Sequence, residues 1–173
     1  MNGRQTSEFQ QAMMIHNAAS IGSEFCRNLT DVNHVSHYLN VNMAGFVALN
    51  AQFMQEFKDV PSKVVINITS DYAVQPLASW GLYCSGKAFR EMFMKTLALE
   101  QPDFRVLSYS PGSVDTDMFY KEGIQETKDV NVVKSLRDAE KHILTPDTTV
   151  KRLIAALDKN VFESGACIHY YDD

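Results

Sequence analysis

The 173-residue chain is 45% hydrophobic and 21% charged, a balance that supports one folded core and excludes wholesale disorder. Its formal net charge is −5 and its 16 Lys and Arg are scattered, which excludes the clustered basic footprint of a nucleic-acid binder or an anionic-membrane binder. Apolar runs such as Val64-Val65-Ile66 are far too short to cross a bilayer, and the polar first residues lack the apolar stretch of a signal peptide. No membrane association and a cytoplasmic location are therefore expected. Cys26, Cys84 and Cys167 have no metal-ligand spacing and read as buried free thiols, with no metal site.

Taken in chain order, the short apolar run 13–15 reads as a strand ending at the polar Asn17. Thr30 or Asp31 is a candidate cap for a long helix over 32–57, with apolar Val35, Leu39, Phe46, Leu49 and Phe53. A second apolar strand covers 64–68. A second long helix, 80–100, stops before Pro102, which cannot continue it. Its Leu82, Phe89, Phe93 and Leu97 make one apolar stripe, and Cys84, Ala88, Met92 and Leu99 another, so the sheet and a second subunit are its expected neighbours. A strand at 105–107 follows. The charged stretch 116–144 lacks a strand pattern and reads as a mobile, partly helical flap over a ligand site, or equally as a solvated helix. A helix over 146–159 and a last strand within 165–171 complete the chain. Near-continuous apolar strands alternating with long helices indicate an α/β doubly wound fold with a parallel sheet, in a single domain spanning 1–173.

The chemistry concentrates between residues 70 and 87. Tyr83 and Lys87 are four apart, so on a helix they project from the same face. A free phenol titrates near 10, too high for acid–base work at neutral pH, and a nearby ammonium is expected to lower it. Ser70, at a strand end, would hold a carbonyl oxygen together with the Tyr83 hydroxyl. Tyr-x-x-x-Lys alone is weak evidence, because an amphipathic helix with a surface Tyr and Lys gives the same pattern.

Other features join it. Asn42 lies within the first long helix, Asn17-Ala18-Ala19 follows the first strand, and Pro111-Gly112-Ser113-Val114-Asp115-Thr116 follows the third. In this order the set resembles the short-chain dehydrogenase/reductase family over nearly the whole chain, with Ala19 in place of the usual Gly. The resemblance implies a Rossmann-type sheet and NADPH as cofactor, bound by Asn17, Ala18, Tyr83, Lys87, Pro111, Gly112 and Thr116. It further implies a catalytic set of Ser70, Tyr83, Lys87 and Asn42, the last holding a water that passes protons to Lys87. A homodimer through the helices 32–57 and 80–100 is also implied.

Within the family, the stretches 80–87, 97–100, 105–112 and 164–172 most resemble a branch that reduces the side-chain ketones of a pterin. The implied substrate is a small carbonyl compound, with Ser70, Tyr83 and His169 as its binding residues. His169 stands where that branch places an Asp for the amino-pyrimidine edge of the pterin; a carboxylate accepts two parallel hydrogen bonds there, which an imidazole cannot.

The family's Gly-rich pyrophosphate loop has no counterpart, since the only glycines before Gly45 are Gly3 and Gly22. The chain is accordingly expected to be N-terminally truncated, the C-terminal catalytic portion of the fold. It would present the strand near 13–16 as an unpaired apolar edge and bind NADPH poorly by itself. The alternatives are reduction of another small carbonyl, or a non-catalytic chain that pairs with a full-length subunit.

Overall fold

The computed structural model describes residues 6–172; the first five residues of the polar start, and Asp173, lie outside them. Four strands, β1 (Gln11–His16), β2 (Ser62–Ile68), β3 (Phe104–Ser110) and β4 (Ala166–His169), form one parallel sheet in sequence order. A parallel neighbour cannot be reached by a tight turn, so helices make the crossovers. These are α1 (Val32–Leu39) and α2 (Gly45–Glu56), α3 (Gly81–Glu100), and α4 (Val130–Ala139) and α5 (Pro146–Lys159).

The alternation of β2 sorts the core onto two faces. Val65 packs with Phe46, Phe53, Met94 and Leu97 under α2 and α3, whereas Val64 and Ile66 pack with Leu107, Tyr109 and Leu153 under α5. A third cluster, Ile21, Trp80, Tyr83, Ile124, Val132 and Leu136, closes the end of the sheet where the strands finish. Burial on both faces is why β2 reads as a continuous apolar run.

Several expectations change. Asp31, rather than Thr30, caps the first helix, accepting from the backbone N–H groups of Asn33 and His34. That helix is not regular over 32–57: a π-helical turn at Asn40–Ala44 separates α1 from α2. The wider turn carries the buried positions forward in steps of four, through Tyr38, Asn42, Phe46 and Asn50. Leu39 and Leu49, expected in the apolar stripe, are exposed as a result. On α3, Leu97 is buried but Met92 and Leu99 face outward.

The thiols also differ from expectation: Cys26 is exposed, and Cys84 and Cys167 are half-buried. The stretch 116–144 is largely helical, with a π-helical segment Met118–Gln125 ahead of α4, and its Ile124, Val132 and Leu136 belong to the third cluster. β1 is the outer strand, with Met13 and Ile15 42% and 49% exposed. No helix among the described residues is long and apolar enough to cross a membrane.

Candidate active site

A cavity of about 510 Å³ opens at the C-terminal ends of β1, β2 and β3, where ligands bind in open α/β sheets. Ser70 reaches it from the end of β2, as the cap of a short turn, Asp71–Ala73; its Oγ accepts from the Tyr72 N–H at 3.3 Å. Tyr83 and Lys87 reach it from the first two turns of α3. Asn17, Ala18 and Ala19 form one wall, and Pro111, Gly112 and Thr116 the opposite one. These residues, far apart in the chain, line one cavity.

Burial sets the protonation of the central pair. Lys87 is 5% exposed and donates to the Ile68 carbonyl oxygen at 2.7 Å. Loss of hydration, reinforced by the Arg90 charge and opposed by Glu91, lowers its pKa to about 7. Tyr83 is enclosed by Trp80, whose ring meets it edge-on at 5.1 Å between centroids. Burial raises the phenol to about 12, with the Ser70 hydroxyl acting in the opposite direction. The expected lowering of Tyr83 by Lys87 is therefore not seen. Desolvation outweighs the Ser70 hydrogen bond, the Lys87 nitrogen lies 5.4 Å from the ring centroid, and Tyr83 keeps its proton at neutral pH.

Two expected site residues do not line the cavity. Asn42 sits in the π-helical turn and spends its side chain on the protein: its Oδ1 accepts from the Ser20 N–H at 3.1 Å, and its Nδ2 donates to Ser20 Oγ and the Tyr38 carbonyl. His169, at the end of β4, turns toward Asp71, with Nδ1 2.7 Å from Oδ1; the same oxygen accepts from Ser110 Oγ at 2.6 Å. Burial pushes the Asp71 carboxyl up, but these two partners outweigh it and hold the pKa below the usual carboxylate value. His169 is thus committed to the carboxylate beside Ser70.

Residues not singled out in the sequence hold the walls in place. Arg90, one turn beyond Lys87 and 2% exposed, donates from Nε to the Asn42 carbonyl at 2.6 Å and from both terminal nitrogens to the Ala18 carbonyl at 3.1 Å. It clamps the Asn17–Ala19 turn to the helices. Lys87, Glu91, Lys95 and Glu100 also charge this helix, so nothing in the sequence set Arg90 apart. Thr149 on α5 donates to the Pro111 carbonyl at 2.9 Å and fixes the opposite wall, where Gly112 adopts φ +74°. Glu122 accepts from the Ile21 N–H at 2.6 Å, and Trp80 Nε1 donates to Thr127 Oγ1 at 2.8 Å, so the 116–144 stretch is tied over the cavity.

A parallel sheet covered on both faces, with a Ser, Tyr and Lys set at its strand ends, defines a class. Residues 7–127 match the short chain dehydrogenase family model, and the chain belongs to that family. It is 39% identical over 171 residues to the sepiapterin reductase of Bos taurus, covering 95% of this chain and 63% of that protein. It is also 28% identical over 153 residues to a benzil reductase of Bacillus subtilis, covering 84% of this chain and 63% of that one. Among solved structures, L-sorbose reductase from Gluconobacter frateurii, complexed with NADPH and L-sorbose, shares the fold with a TM-score of 0.75 at 23% identity, over 91% of this chain and 64% of that one. The chain therefore spans just under two thirds of the length of these relatives.

Proposed function

We propose that this chain carries the carbonyl-binding and proton-transfer part of an NADPH-dependent carbonyl reductase of the sepiapterin reductase type. One observation carries the reading: a protonated Tyr83, the Ser70 hydroxyl and a buried Lys87 lie on one cavity, between the 17–19 turn and the 111–116 turn.

The residues present suit a nicotinamide cofactor. Lys87 uses one of its three donors on Ile68 and keeps others for ribose hydroxyls, and the 111–116 turn offers backbone groups on the far side. When bound, NADPH supplies the hydride. Ser70 and Tyr83 hold the substrate carbonyl oxygen between two donors, which orients its carbon and polarises the bond. Tyr83 then passes its proton to the oxygen as negative charge develops there. A pKa of about 12 keeps that proton available in the resting site. A protonated Lys87 favours the phenolate left behind, and Tyr83 is recharged from solvent. Asn42, bonded to Ser20 and Tyr38, acts by fixing the π-helical turn against the Ala18 wall.

A pterin with side-chain ketones is the substrate this reading favours. No carboxylate among the described residues lines the cavity, and His169 is held by Asp71, so a second reading, reduction of a small aryl ketone or diketone, has its own support. Exposed Leu49, Met92 and Leu99 on α2 and α3 suit pairing with a second copy.

The test is NADPH consumption with sepiapterin or a vicinal diketone, by a form in which a family Gly-rich strand–loop–helix unit precedes Thr6. Tyr83→Phe should lower kcat at least a hundredfold while leaving NADPH binding in place, within the range general acid catalysis contributes. Retained turnover in that variant removes Tyr83 from its role.

A further inference from the structure

The segment after β1 is laid against the start of α3 away from the cavity. Glu24 and Trp80 form a parallel bridge, in which the Glu24 N–H donates to the Ser79 carbonyl at 2.8 Å, and the Ser23 and Ser79 hydroxyls are 3.3 Å apart. Two residues further on, Cys26 lies over the first turn of α3. An added Cβ on Gly81 would fall 2.8 Å from its sulfur, so a residue without a side chain is what admits the thiol there. Cys84 stands three residues after Gly81, on the same face of the helix. Cys26 and Cys84 line one shallow groove together with Pro76 and Leu77. Cys26 is exposed and Cys84 half-buried, so one thiol meets solvent and the other waits behind it.

We infer that Cys26 and Cys84 are a redox-responsive pair that closes to a disulfide, stapling the segment after β1 to the first turn of the helix that carries Tyr83. The pair needs an oxidant, and oxidised glutathione is the class that fits an exposed first thiol. The Cys26 thiolate attacks one glutathione sulfur and releases one reduced glutathione, leaving a mixed disulfide. Cys84 then gives up its proton and attacks the Cys26 sulfur, releasing the second glutathione. Two protein thiols are oxidised and one glutathione disulfide is reduced, so the electrons balance. Burial raises the Cys84 thiol, so the second step speeds up as pH rises. Cys167 is an internal control: it lies on β4, beside Glu91, where burial and that carboxylate hold its thiol at about 12.

The experiment treats the folded 173-residue chain with oxidised glutathione and follows intact mass, free thiols and the linked peptides. The inference expects two of the three thiols to disappear, a mass lower by two hydrogens with no retained glutathione, and a peptide joining Cys26 to Cys84. Cys167→Ser should leave that product unchanged, whereas Cys84→Ser should stop at a glutathione adduct on Cys26. Gly81→Ala, which pushes Cys26 off the helix, should slow closure at least tenfold while adduct formation on Cys26 continues. A stable adduct in the unsubstituted chain, a disulfide between two chains, or three unreacted thiols would each overturn the inference.

Discussion

Removing the charge of Lys87 should change how stability depends on pH, by an amount the structure fixes. The group is buried and its pKa falls from 10.5 to about 7 on folding. The unfolded chain therefore binds the proton more tightly than the native one, so stability rises with pH between about 7 and 10.5 and is flat below that window for this group. At 1.36 kcal/mol per pKa unit, holding the lysine charged inside costs about 5 kcal/mol at acid pH. Between pH 7 and 9 the native protein should recover roughly 2 kcal/mol of that cost. Lys87→Met lacks the titration. It also loses the hydrogen bond to the Ile68 carbonyl, about 1 kcal/mol, but at both pH values alike. Urea unfolding of both proteins at pH 7 and pH 9 isolates the effect as a difference of differences. The wild type should gain about 2 kcal/mol more than the variant over that interval. Equal gains would refute the argument that desolvation governs Lys87.

Arg90→Met should destabilise the fold by about 3 kcal/mol in denaturant titrations, because the Asn42 and Ala18 carbonyls lose a charged donor together. Gly22→Ala should cost roughly 1–3 kcal/mol in the same measurement: φ is +60° and a Cβ would sit 2.8 Å from the Tyr38 ring. Gly123→Ala, where an added Cβ would lie 3.5 Å from the Met118 carbonyl oxygen, should be close to neutral or slightly stabilising and serves as the control. His169→Asp would face the Asp71 carboxylate with a like charge. A loss of roughly 1 kcal/mol at neutral pH, tempered by solvent exposure and regained as the pair protonates on acidification, is expected from thermal melts across pH.

The sequence made the sheet and the principal helices legible because burial on two faces leaves uninterrupted apolar strands, as in Val64-Val65-Ile66, and because Pro102 ends α3. Ser70, Tyr83 and Lys87 could be placed together since strand end and helix start are fixed by those elements. The irregular parts were hidden for physical reasons. A π-helical turn adds no residue type of its own, so the rotation that buries Asn42 and exposes Leu49 leaves no mark in an apolar periodicity. The clamp made by Arg90 joins positions 72 apart in the chain, and the His169–Asp71 contact joins positions 98 apart. Pattern and spacing report neighbours along an element, not such pairings. The direction of the Tyr83 shift was also out of reach, because it depends on how completely Trp80 and the 116–144 stretch exclude water.

The most direct test of the account is sepiapterin-dependent NADPH oxidation, measured side by side for the 173-residue chain and for the form with a family Gly-rich unit joined ahead of Thr6. The extended form should turn over and lose that turnover with Tyr83→Phe, while the 173-residue chain alone should bind NADPH weakly and turn over little. Saturable NADPH binding by the extended form with no reduction of sepiapterin or a vicinal diketone would contradict the claim that Ser70, Tyr83 and Lys87 form a carbonyl reductase site.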